Sequence, residues 1–185
     1  MDEKENLLKE IYFTFDDGPN EYTLKILDIL KNFGVRATFF VCGKNVEHFP
    51  EITKRIVGDG HTIGNHTFSH SINFLFLWSF KKEIDKTAQI IKEITGKETN
   101  FFRPPWGILT PWLKKYLLKN NYQIILWNID SEDWKKHPAN LIEETIFKKV
   151  KSNSIILSHD CLQISLALPK ILGELKNKGY IFRKF

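Results

Sequence analysis

Ile11-Tyr12-Phe13-Thr14-Phe15-Asp16-Asp17-Gly18-Pro19 is an apolar, aromatic-rich run that ends on two adjacent acids and a Gly-Pro turn. Its first five residues predict a β-strand, Ile11–Phe15. Side chains alternate across a strand, so Asp16 and Asp17 can serve one side only if the strand stops there. One of them can then face a metal ion while the other approaches a substrate. Capping a following helix would need only one Asp.

The same pattern repeats along the chain. Arg36–Val41, His61–Gly64, Asn100–Phe102, Gln123–Ile129, Ser154–Leu157 and Tyr180–Arg183 read as further strands, most of them short and bounded by turn-forming residues. Helical periodicity separates them. Phe80, Ile84, Ala88, Ile91 and Ile94 share one helix face, Ile164, Leu168, Ile171, Leu172 and Leu175 another, and Gly96 and Gly179 stop these helices. Seven strands alternating with helices predict an α/β fold with a mainly parallel sheet, open or closed into a barrel. A full eight-fold barrel takes about 250 residues, so a closed form in 185 residues must be trimmed or distorted.

With 42% hydrophobic and 26% charged residues, the chain reads as one globular domain, residues 11–185, behind an N-terminal extension, residues 1–10. A net charge of +5, from 27 basic and 22 acidic residues spread along the chain, argues against a nucleic-acid partner. Cys42 and Cys161 are too few for a disulfide scaffold or a four-thiolate zinc site. The longest apolar run, Phe74–Trp78, falls far short of the roughly 20 residues of a membrane span. Asp2, Glu3, Glu5 and Glu10 stand where a signal peptide needs a basic start and an apolar stretch. The expectation is a soluble monomer, cytoplasmic as written and extracytoplasmic if a leader precedes it.

The chemistry-bearing residues follow the strands: Asp16 and Asp17 the first, His66 and His70 the third, Arg103 the fourth, Asp130 and Asp133 the fifth, and Ser158, His159 and Asp160 the sixth. All are predicted at the carboxyl edge of a parallel sheet, where β/α proteins place their active sites. His66-Thr67-Phe68-Ser69-His70 spaces two imidazoles at i and i+4, which on a helical turn lets both reach one metal ion. Two histidines and a carboxylate leave zinc an open position for water, and they could equally hold ferrous iron in an oxygenase. A spare carboxylate, an arginine and a third histidine favour hydrolysis. One acid takes a proton from water, a cation keeps that acid ionised, and a histidine protonates the leaving group.

Thr14-Phe15-Asp16-Asp17-Gly18-Pro19, His66-Thr67-Phe68-Ser69-His70, Arg103-Pro104-Pro105-Trp106-Gly107, Asp130-Ser131-Glu132-Asp133-Trp134 and Leu157-Ser158-His159-Asp160 resemble the five ordered motifs of the polysaccharide deacetylases, carbohydrate esterase family four. The resemblance implies a distorted β/α barrel of about seven strands. It also implies divalent-metal-dependent removal of N-acetyl groups from amino sugars, with zinc as the usual ion and cobalt or another divalent ion as alternatives. By the same resemblance Asp17, His66 and His70 are the metal ligands and Asp16 the base that activates the attacking water. Arg103 positions that base, and His159, assisted by Asp133, protonates the departing amine. Pro105, Trp106, Trp134 and Leu157 fall at substrate-binding positions. Trp134 and Leu157 close around the acetyl methyl, and the Trp106 N–H stands where the family has its oxyanion donor.

The implied substrate is a chain or oligomer of β-linked N-acetylglucosamine, such as a chitooligosaccharide or a peptidoglycan glycan. An O-acetyl-sugar esterase, a lipid-linked sugar deformylase and a catalytically silent glycan-binding module are the alternatives. Phe74–Trp78 replaces a loop that is commonly polar in the family, and is expected either to pack down or to form an apolar lip for a lipid-linked substrate or a membrane surface. His61, Cys42, Cys161 and the rings of Phe39, Phe40, Phe101 and Phe102 read as structural, and His48 and His137 as solvent-facing. Asp130 either shapes the fourth-motif turn or joins its network.

Overall fold

Alternation along β1 (Lys9–Asp16) sorts its side chains into two environments. Ile11, Phe13 and Phe15 are buried in the main apolar cluster with residues of the surrounding helices. Thr14 and Asp16 point to the other face, where both meet the fully buried Arg103. The computed structural model describes residues 9–72 and 79–185. The Phe74–Trp78 run and residues 1–8 of the expected extension lie outside the described residues.

Every strand pairing is parallel. β1 is flanked by β2 (Thr38–Val41) on one side and β7 (Ser154–His159) on the other. The sheet continues outward from β2 through β3 (Thr62–Asn65) and β4 (Phe101–Phe102). β8 (Tyr180–Arg183) runs beside the first half of β1, before β2 takes over alongside Thr14–Asp16. β5 (Gln123–Ile124) and β6 (Ile129–Asp130) are the two ends of the single strand expected over Gln123–Ile129. The strand is broken because the carbonyls of Ile125 and Leu126 turn to accept hydrogen bonds from Arg103, at 3.0 and 3.2 Å. Its first end pairs with β4 and its second with β7, so one interrupted run joins the two edges of the sheet into a distorted barrel. Counting that run once gives the seven strands expected.

Helices α1 (Glu21–Asn32), α2 (Gly43–His48), α3 (Pro50–Gly58), α4 (Ser79–Thr95), α5 (Pro111–Lys119), α6 (Ala139–Lys149) and α7 (Leu162–Asn177) fill the crossovers. α1 starts on a reciprocal cap: the Asn20 side chain accepts from the Tyr22 N–H, and Thr23 Oγ1 accepts from the Asn20 N–H, each at 2.8 Å. α7 buries Ile164, Leu168, Ile171, Leu172 and Leu175, the face its periodicity predicts. In α4 the buried face is turned slightly, to Phe80, Ile84, Thr87, Ile90 and Ile91, leaving Ala88 and Ile94 partly exposed. Phe80 and Ile84 join Phe102, Leu113 and Leu117 in a smaller cluster beneath α4 and α5. His61 is structural: its Nδ1 accepts the Ala37 N–H at 3.0 Å, and burial lowers its pKa to about 4. No helix among the described residues is long and apolar enough to cross a membrane.

The two faces of α7 differ in what they contribute. Ile171→Ala, at a site with no exposure, should cost about 2–5 kcal/mol of unfolding free energy. Leu166→Ala, at a position 54% exposed, should change it by about 0.5 kcal/mol or less. Urea titration of both variants measures the difference.

Candidate active site

Parallel pairing sets Asp16, the last residue of β1, opposite His159, the last residue of β7. The next residue, Asp17, has φ 71°, and this turn brings the second acid back to the side of the first. The two acids then have different partners. Asp16 Oδ1 accepts a 2.8 Å hydrogen bond from Arg103 Nη1, while its Oδ2 lies 3.7 Å from His66 Nε2. Asp17 Oδ1 lies 3.4 Å from both His66 Nε2 and His70 Nε2.

His66 Nδ1 is 2.7 Å from the Arg103 carbonyl. A carbonyl only accepts, so this nitrogen carries the proton and Nε2 presents its lone pair to the site. Asp17 Oδ1 is buried and has no hydrogen-bond partner. A lone pair and a carboxylate oxygen that face each other without a proton between them are what a cation satisfies. The ligand atoms of Asp17, His66 and His70 lie within 4.8 Å of one another, the one such cluster of three among the described residues. Burial raises the Asp17 pKa, but His66, His70 and His159 outweigh it and hold it down to about 2. Burial lowers the pKa of His70, against the opposing pull of Asp17. The residues present therefore fit a divalent ion with an open position, as zinc prefers in a catalytic site.

The histidine pair does not sit on a helical turn, as its spacing suggests. Residues 66–70 form a bend with positive φ at Thr67 (69°) and His70 (51°). Glu83 of α4 holds this bend, accepting the N–H groups of Phe68 at 2.9 Å and Ser69 at 2.7 Å. Nothing in the local sequence singles out Glu83, which reads as one more polar residue on an amphipathic helix.

His159 is gripped from two directions by Asp133, which is 1% exposed. Oδ2 accepts the His159 backbone N–H and Oδ1 lies 2.7 Å from Nδ1, so Nδ1 is the protonated nitrogen. Burial opposes charge on His159, yet Asp133, Asp16 and Asp17 overcome it and raise its pKa to about 9. Asp130 shapes the turn: Oδ1 accepts the Glu132 N–H at 2.8 Å, and Oδ2 accepts the Trp134 indole N–H at 3.3 Å. The Cys161 thiol donates to Asp133 Oδ2 at 3.8 Å, and burial raises its pKa to about 11. Asp160 is buried behind the site, where it accepts from the Thr23 hydroxyl; a Cβ on Gly18 would collide with its carboxylate.

These residues border a cleft of about 650 Å³. Trp106 and Trp134 stand at it largely exposed, and Leu157 closes one wall. The Trp106 ring packs edge-on against His70, with centroids 4.5 Å apart. Pro105 is buried within its turn and does not line the cleft, and Arg103 stands behind it, bonded to Asp16 through its guanidinium and to His66 through its carbonyl. Trp127, within the run read as one strand over Gln123–Ile129, does line the cleft.

Residues 3–125 match the family model for polysaccharide deacetylases. The chain is 41% identical over 180 residues to a peptidoglycan-N-acetylglucosamine deacetylase of Bacillus cereus, covering 94% of this chain and 66% of that protein. Among solved structures it resembles the peptidoglycan N-acetylglucosamine deacetylase Bc1960 in complex with 4-naphthalen-1-yl-N-oxidanyl-benzamide. The TM-score is 0.92 and the identity 38%, over 96% of this chain and 86% of that one. It also resembles BA3943 of Bacillus anthracis, a CE4 family pseudoenzyme, with a TM-score of 0.89 and 28% identity over 94% of this chain and 63% of that one. The motif match, the barrel and these similarities agree: the chain belongs to the polysaccharide deacetylase family.

Proposed function

We propose that residues 11–185 form the catalytic domain of a metal-dependent hydrolase that removes N-acetyl groups from N-acetylglucosamine-type sugars, with the glycan of peptidoglycan as substrate. One observation carries the reading: a carboxylate held by a buried arginine and a protonated histidine held by a buried aspartate face one cleft together with a three-ligand cluster. The relatives' substrates support the choice of peptidoglycan over a chitooligosaccharide.

A divalent ion held by Asp17, His66 and His70, most suitably zinc, would supply Lewis acidity and lower the pKa of water. Asp16 takes the proton from the attacking water. Its hydrogen bond to Arg103 orients it, with Oδ2 turned towards His66 and the cleft. The Trp106 N–H stabilises the oxygen that gains charge as the amide carbonyl is attacked. An amide nitrogen leaves poorly unless protonated, and His159 delivers that proton from Nε2, since Nδ1 is bound to Asp133. Leu157 and Trp134 receive the acetyl methyl. A silent glycan-binding module would have no use for both a base and an acid.

Three outcomes follow from these roles. Chelation with EDTA should abolish hydrolysis of N-acetylated muropeptides while far-UV circular dichroism stays unchanged, and zinc or cobalt should restore it; full turnover in metal-free protein would refute the reading. Asp16→Asn should lower kcat by about 10²–10⁴-fold and retain zinc by calorimetry, whereas Asp17→Asn should lose zinc affinity as well. Because His159 acts in its protonated form, activity should be present at neutral pH and fall as pH rises through about 9. Asp133→Asn removes the charge that raises this pKa, so the alkaline limb of the pH–rate profile should move to lower pH.

A further inference from the structure

Trp127 sits in the break between β5 and β6, and its peptide is held on both sides. The preceding carbonyl, of Leu126, accepts from Arg103 Nη2 at 3.2 Å. The following residue, Asn128, exchanges hydrogen bonds with Ile155 of β7: its N–H donates to the Ile155 carbonyl at 3.1 Å, and its Oδ1 accepts the Ile155 N–H at 2.9 Å. Fixed in this way, the indole lines the cleft. It meets there two groups that the proposed reaction uses.

On one side is the Arg103 guanidinium, whose central carbon lies 5.6 Å from the indole centroid, with Phe40 closer still at 4.2 Å from that carbon. On the other is the third-motif turn. Trp106 has φ 55° and Gly107 φ 70°, two successive left-handed residues of which only the glycine adopts that conformation without cost. A Cβ on Gly107 would stand 2.9 Å from Trp127 Cη2, so the indole lies flush against the turn. A non-glycine residue in the left-handed region persists only where its surroundings hold it there.

We propose that Trp127 is a positioning residue: its indole is wedged between the Arg103 guanidinium and the Trp106–Gly107 turn, and so fixes the Trp106 N–H relative to Asp16. The inference rests on the functional reading above, in which Asp16 is the base and the Trp106 N–H faces the developing oxyanion. Trp127 is not one of the candidate ligands Asp17, His66 and His70, so its removal should leave metal binding intact and affect the step in which Asp16 and the Trp106 N–H must be correctly spaced.

Labelling with ¹⁵N-tryptophan gives one backbone amide signal for each of the five tryptophans. In Trp127→Ala the Trp106 amide resonance should shift. kcat on an N-acetylated muropeptide should fall roughly 10- to 100-fold, with KM and zinc affinity little changed, and Trp127→Phe should recover part of the loss. An unmoved Trp106 amide would overturn the inference, as would an unchanged kcat or a loss confined to KM. A wild-type chain that binds zinc but turns over no acetylated sugar would overturn the functional reading itself, and is distinguished by the wild-type assay alone.

Discussion

The structure depends on burying one charge. The Arg103 guanidinium, with no solvent exposure, donates to Asp16 Oδ1, Thr14 Oγ1 and the carbonyls of Ile125 and Leu126. Leaving a buried cation unpaired costs several kcal/mol, so the four acceptors are required together, and they come from the carboxyl end of β1 and the gap between β5 and β6. The backbone of the same residue donates to the Asn65 carbonyl at 3.1 Å and accepts from His66 Nδ1. One residue thus ties the central strand, the barrel's interrupted strand and a histidine of the three-ligand cluster to a common point.

This constraint explains why the two acids of the first motif diverge. Asp16, buried at the end of the strand, has the guanidinium against one of its oxygens. Asp17, one residue later and past the end of the strand, is turned towards two imidazoles. On the neighbouring strand the logic is reversed: His159 is a cation stabilised by a buried carboxylate, that of Asp133. The family includes a pseudoenzyme of closely similar fold, so the barrel alone does not carry activity.

Much of this was legible in the chain. Period-two alternation with intervening helical faces gave the α/β class and the parallel sheet, because burial on a strand and on a helix leaves different spacings in sequence. The carboxyl-end location of Asp16, His66, Arg103, Asp133 and His159 followed from strand boundaries alone, and the motif resemblance supplied their roles. Asp130 stayed open, since choosing between a turn and a network requires knowing that its oxygens accept from Glu132 and Trp134.

What only the tertiary structure decided are features in which one residue answers to partners distant in sequence. The strand over Gln123–Ile129 is locally a sound β-strand, and its interruption comes from Arg103, some twenty residues earlier. The bend at residues 66–70 replaces the expected helical turn because Glu83 of α4 takes its N–H groups. Trp127 lies within the run read as one strand and becomes cleft wall once that strand is broken. The sequence by itself determined which residues are apolar, which carry chemistry and at which strand ends they stand. Their distances and partners were decided by the fold, because a buried charge accepts whatever donors or acceptors the closed barrel brings to it, and local pattern carries no record of them.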